Sequence, residues 1–221
     1  MKTFLATVSA ALLLGACASQ SPPPDWQANA HASLKTFTSA YLSGNTRLAE
    51  FEFSRAKLDI SSTGRADLLA RAELTRCATR VASLEFDDCA AYQPLAPEAR
   101  PEEQTYAAFL NGHWTGINAA LLPPQHRALV LNSTTSASVL GTIEDPLGRL
   151  VAAGTLLQNQ RLTPADITLA TETASAQGWR RPLLAWLGVQ LKRAQDGGDK
   201  EATDRLQRRI ALVLQSAPKN Q

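Results

Sequence analysis

Groups that titrate near neutrality are scarce in this chain, and so are aromatic side chains. Three histidines are spread over 221 residues, and aromatics make up 6%. His31, His113 and His126 never fall four residues apart with a glutamate between them, so the zinc-protease pattern is absent. A Gly-x-Ser-x-Gly elbow and a phosphate-cradling glycine loop are missing as well. With no ligand or phosphate motif to hold one, no cofactor and no metal is expected. An excess of one charge is also lacking: Lys+Arg 22 face Asp+Glu 20, a formal net charge of +2. A nucleic-acid partner would ask for a basic stripe, and none is present. β-Branched aliphatics are thin while Ala and Leu dominate, a composition that favours helices.

The N-terminus is the most specific part of the chain. Lys2 precedes a short apolar stretch, 4–14, followed by Leu14-Gly15-Ala16-Cys17. This is the three-part layout of a secretory signal. The stretch is too short for a membrane-spanning helix, which needs about 20 apolar residues. Leu-Gly-Ala-Cys resembles the lipobox of bacterial lipoproteins. The resemblance implies removal of residues 1–16, acylation of the Cys17 thiol and a membrane anchor facing the periplasm. In that class, in a Gram-negative host, an Asp after the lipidated Cys commonly retains the protein at the inner membrane. Here Ala18 and Ser19 follow instead, which implies the outer membrane. An ordinary signal peptide with a coincidental Cys is the alternative. Residues 17–24 then form the lipidated Cys and a short Pro-rich tether.

Cys77 and Cys89 remain. In an oxidising compartment the expectation is that they pair, closing a short loop worth about 3 kcal/mol in the chain-entropy model. Two buried free thiols are the alternative.

Apolar periodicity and turn signals predict helices at 26–42 with Asp25 as N-cap, at 46–60 and at 65–84. In the second of these, Leu48, Phe51 and Leu58 share a face. These three helices make an N-terminal lobe, 25–92. Pro94, Pro97 and Pro101 mark an extended connector. A C-terminal lobe, 93–221, continues the same domain. It has a helix from Pro101 to about Leu110, short helices near 116–121 and 125–131, and four firmer ones near 146–158, 164–176, 182–194 and 199–214. The fold class expected is all-α, with antiparallel helical hairpins.

One internal echo stands out. Leu150, Ala153, Gly154 and Leu157 return as Leu184, Leu187, Gly188 and Leu191, each 34 residues later. That period and its large–small–large seam resemble tetratricopeptide-like helical repeats. The resemblance implies an α-solenoid in which Gly154 and Gly188 let helices approach closely. A plain antiparallel array is the other reading.

Candidate site residues are few. Asn111-Gly112-His113-Trp114-Thr115-Gly116 is either a binding loop presenting His113 and Trp114 or a turn with Trp114 plugging the core. Trp179, Arg180 and Arg181 form an exposed interaction surface, since Trp and Arg are preferred there, or else Trp179 and Trp186 are both core. Arg205, Arg208 and Arg209 read as a solvated face. Ser54 and Lys57 match a Ser-x-x-Lys spacing, without the companion elements of penicillin-binding enzymes. No catalytic residue is assigned, and an enzyme is the less favoured reading. The function expected is a membrane-anchored scaffold or adaptor that binds another envelope protein. One alternative is an enzyme acting on envelope polymers, with Asp87, Asp88, Glu102 or Glu103 near His113 in a cleft between the lobes. Another is a small-molecule or lipid carrier.

Overall fold

The computed structural model describes residues 23–131 and 136–216. The signal, Cys17 and most of the tether lie outside the described residues. Among the described residues every regular element is a helix: α1 (Asp25–Ser43), α2 (Thr46–Ser61), α3 (Ala66–Ala82), α4 (Pro101–Leu110), α5 (Pro124–Leu131), α6 (Ser136–Thr142), α7 (Pro146–Gln158), α8 (Pro164–Ala176), α9 (Arg180–Asp196) and α10 (Lys200–Gln215). Single 3-10 helices, Gln93–Glu98 and Ala119–Leu121, stand on either side of α4.

Local chemistry sets most helix starts. Asn45, Asp145, Thr163 and Asp199 each cap a helix by accepting a hydrogen bond from a backbone N–H of the first turn. Thr163 and Asp166 form a full capping box. Pro101, Pro146 and Pro164 occupy first helical positions, where a missing N–H costs nothing. α1 departs from expectation. Pro24 is its N-cap, and Asp25 is the first helical residue, placing its charge at the positive end of the dipole. The Pro-rich connector is also not extended, because Gln93–Glu98 winds into a 3-10 turn with Pro97 inside. α6 had no periodic signal in the sequence.

α1 and α2 form an antiparallel hairpin, and α7 to α10 pack as successive antiparallel neighbours. α3 joins the two groups by lying against α7. One apolar cluster runs from Ala70 on α3, through Phe109, Leu150 and Trp186, to Leu206 on α10. Its closest helix contact is at Gly154. A Cβ there would come within 2.5 Å of the Val81 carbonyl oxygen, so only glycine permits this approach of α7 to α3. Gly188 plays no such part. It is exposed and a Cβ there would meet nothing within 4 Å, so the echo of Gly154 is not matched in packing.

α2 corrects the predicted face. Its buried residues are Ala49, Phe53, Ala56 and Ile60, while Leu48, Phe51 and Leu58 are exposed. The small residues won the inner face because α1 lies close against it, with Phe37 and Phe53 rings 4.9 Å apart.

Candidate functional site

α3 brings Glu73, Arg76, Cys77 and Arg80 to one face by their spacing of three, four and seven residues. After Ala82 the chain turns back over this face. Leu84, Asp88 and Cys89 adopt φ of 58°, 53° and 50°, a left-handed conformation that non-glycine residues enter at a cost of about 1–2 kcal/mol each. The Cys77–Cys89 disulfide, with Cα atoms 5.3 Å apart, holds the returning segment in place. The sequence left this pairing open against two free thiols, and the structure has the bridge.

The result is a disulfide-walled recess of about 170 Å³, closed on its far side by Ala90, Ala91 and Tyr92. Its charges balance. Glu73 and Asp87 stand opposite Arg76 and Arg80. Glu73 is buried and accepts from Lys57 Nζ at 2.7 Å. Arg80 Nη1 donates to Asp87 at 2.6 Å. Arg76 donates to Glu50 at 3.2 Å and lies 4.9 Å over the Phe53 ring. Among the described residues, four buried polar atoms of these side chains have no hydrogen-bond partner: Glu73 Oε2, Asp87 Oδ1, the Tyr92 hydroxyl and Arg80 Nε, the last standing 3.8 Å from the Glu85 carboxylate in an ion pair. Burial together with the Glu103 charge raises the Tyr92 pKa, so its hydroxyl keeps its proton and can donate. The recess wall thus carries two carboxylates and a guanidinium that are already ion-paired, Glu73 with Lys57 and Arg80 with both Asp87 and Glu85. Arg76 also borders a shallower hollow of about 420 Å³ between α2 and α3, lined by Ser54, Lys57 and Leu58.

That second hollow contains the Ser-x-x-Lys pair, and the two side chains point apart. Ser54 donates to the Glu50 carbonyl at 2.8 Å, whereas Lys57 is spent on Glu73. Lys57 is accordingly ion-paired.

The other candidate residues are placed as follows. His113 is exposed. Trp114 is half-buried, stacks on Phe109 at 5.4 Å and donates its indole N–H to the Phe109 carbonyl. Arg161 lies over its outer side at 5.2 Å. Trp179 is half-buried against the main cluster, and Trp186 is fully buried with its indole N–H on the Ala82 carbonyl. Arg180 lies over Gly44, and its guanidinium donates to the Ser43 and Gly44 carbonyls. Arg181 donates to the Tyr41 carbonyl at 2.9 Å, to Thr46 Oγ1 at 2.6 Å and to Glu85 at 3.2 Å. Both arginines thus tie α9 to the α1–α2 turn. Asp88 and Glu102 are exposed, while Glu103 is buried against Arg71 and Arg100. Arg205 and Arg209 edge a groove of about 610 Å³ between α8, α9 and α10. Among the described residues no group of three or more His, Cys, Asp or Glu is arranged to hold a metal ion, and no helix is long and apolar enough to cross a membrane.

The recess itself was missed in the sequence. Asp87 and Cys89 were visible singly, but only the left-handed turn brings them over Glu73 and Arg80. Compared with protein-family models, curated proteins and solved structures, the chain matches none.

Proposed function

We propose that this protein is a lipid-anchored, periplasm-facing adaptor of the outer membrane, holding a polar segment of another envelope protein in the disulfide-walled recess. The observation that carries the binding reading is the recess itself, a cavity of about 170 Å³ walled by the disulfide and by Glu73, Asp87, Arg76 and Arg80. Glu73 Oε2 and Asp87 Oδ1 lack a hydrogen-bond partner among the described residues, and leaving such groups unmet costs about 1–3 kcal/mol apiece, which favours a ligand that opens the wall enough to reach them. Balanced charge on the walls favours a segment carrying both signs over a simple anion or cation. The address is supported by Leu14-Gly15-Ala16-Cys17 and by the disulfide, a bond that persists in oxidising compartments.

Under the same reading, α7 to α10 are tetratricopeptide-like hairpins. The 34-residue echo supports this, with Leu150, Ala153 and Leu187 all buried. Stacked hairpins offer extended grooves for partner proteins. A small-molecule carrier is favoured by a different feature, a mostly apolar recess of about 320 Å³ between Leu74, Tyr106 and Leu122.

The test is a photo-crosslinking residue at the exposed Ala91 on the rim, in cells carrying the full chain. One discrete envelope protein captured from Ala91, and lost when Arg76→Ala and Asp87→Asn are added, is the expected result. Equal capture from Ala91 and from a remote exposed site such as Gln207 contradicts the reading.

A further inference from the structure

α2 turns its large apolar side chains outward. Leu48, Phe51 and Leu58 are 39%, 59% and 72% exposed, while Ala49, Phe53, Ala56 and Ile60 hold the helix from the other side. Phe51 and Leu58 lie two turns apart on one line. Arg47 and Arg55 flank Phe51 four residues before and after, and the Arg55 guanidinium reaches to 5.9 Å from its ring. Of the carboxylates at the edges of this face, Glu50 pairs with Arg76, and Glu52 pairs with Arg55 and offsets its charge. Asp59 is half-buried. What faces outward is a strip of Phe, Leu, Ser and Arg.

The chain enters the fold beside this strip. Ala30 on α1 and Ile60 on α2 share one small core with Ala72, so Pro24 lies at the same end of the hairpin as Leu58. The half-buried Trp26 is at that end too, and Trp is favoured at membrane interfaces. Residues 18–24 can span at most about 25 Å when fully extended. A chain anchored at Cys17 therefore keeps this end of the hairpin near the bilayer.

We infer that the outer face of α2, with Phe51 and Leu58 as apolar contacts and Arg47 as a cationic one, lies on the headgroup layer of an anionic phospholipid membrane. The inference rests on the lipid-anchor reading above. Burial of apolar area and attraction to anionic lipid act together in such interfacial helices. The anchor alone fixes only distance, whereas this face fixes which side of the protein meets the lipid and leaves the recess wall of α3 turned along the surface.

The experiment uses the full, acylated chain. With Cys17 acylated and Cys77 bonded to Cys89, Leu58→Cys adds a single free thiol, which takes a nitroxide. In vesicles of phosphatidylglycerol and phosphatidylethanolamine, collisions with oxygen should rise and collisions with a water-soluble nickel complex should fall at position 58, relative to a nitroxide at Gln207→Cys. The difference should shrink in pure phosphatidylcholine and at high salt. Acylated protein in which both sites meet the nickel complex equally overturns the inference and spares the anchor. Dipolar broadening between nitroxides at position 58 would place a second copy on this face and overturns it as well. A chain without acyl label defeats the anchor and the inference together.

Discussion

The Arg181 guanidinium carbon lies 4.1 Å from the centroid of the Tyr41 ring, and both residues reach the same carboxylate, that of Glu85. Tyr41 donates its hydroxyl to Glu85 at 2.6 Å. Burial first, and then Glu85, raise the pKa of that hydroxyl far above the usual tyrosine range, so it stays a donor. This cluster joins α1, the segment after α3 and α9, residues far apart in sequence. Arg181→Ala removes the cation–π contact and leaves the Tyr41 carbonyl and Glu85 short of a donor. A loss of roughly 2 kcal/mol is expected, read as a lower denaturant midpoint.

Gly154 and Gly188 should respond oppositely to the same change. Gly154→Ala drives a methyl into the Val81 carbonyl and forces α7 from α3, costing about 1–3 kcal/mol. Gly188→Ala, in open space on α9, should stabilise by up to about 1 kcal/mol. Thermal melts of the two variants check this, and equal shifts would contradict the packing described.

His126 is buried against Phe109, with ring centroids 4.9 Å apart, and its Nδ1 has no hydrogen-bond partner among the described residues. Burial lowers its pKa to about 4, with the Asp145 charge pulling weakly the other way. Its folded-state value thus lies below the ordinary histidine value of about 6.5, so below that pH the unfolded chain binds more protons. Stability is lost as pH falls from about 6.5 towards 4, by up to about 3 kcal/mol. His126→Phe keeps the aromatic stack and should flatten the pH dependence of the melting temperature across this window.

The bridge from α3 to the returning segment gives a stability prediction, read as a lower denaturant midpoint. Cys77→Ala with Cys89→Ala removes the constraint that closes a short loop, and a loss of about 3 kcal/mol is expected. Asp88 and Cys89 are then free to leave their left-handed conformation. Capture of a partner from Ala91 should fall more than that from other sites.

Helix starts were legible because they depend on adjacent residues: Thr163-Pro164 and Asp145-Pro146 state their caps and first turns outright. Faces were less legible. On α2, Leu48, Phe51 and Leu58 form a convincing apolar line, yet close approach by α1 selects Ala49 and Ala56. The repeat seam misled at Gly188 for a related reason. A small residue marks a close contact only where another helix arrives, and no neighbour meets that position. The recess was illegible because three consecutive residues with ordinary side chains, Asp87-Asp88-Cys89, make a turn with left-handed backbone at the last two, which no turn composition announces. Arg181, singled out for a surface, is instead a tie between distant segments, and only tertiary contact reveals it.

Acylation of Cys17 is read by metabolic labelling with an acyl analogue, followed by membrane fractionation of wild type and Cys17→Ser. Label on the wild type in the outer-membrane fraction, with label and membrane residence both lost in Cys17→Ser, is the predicted result. Unchanged labelling and location in Cys17→Ser would contradict the account.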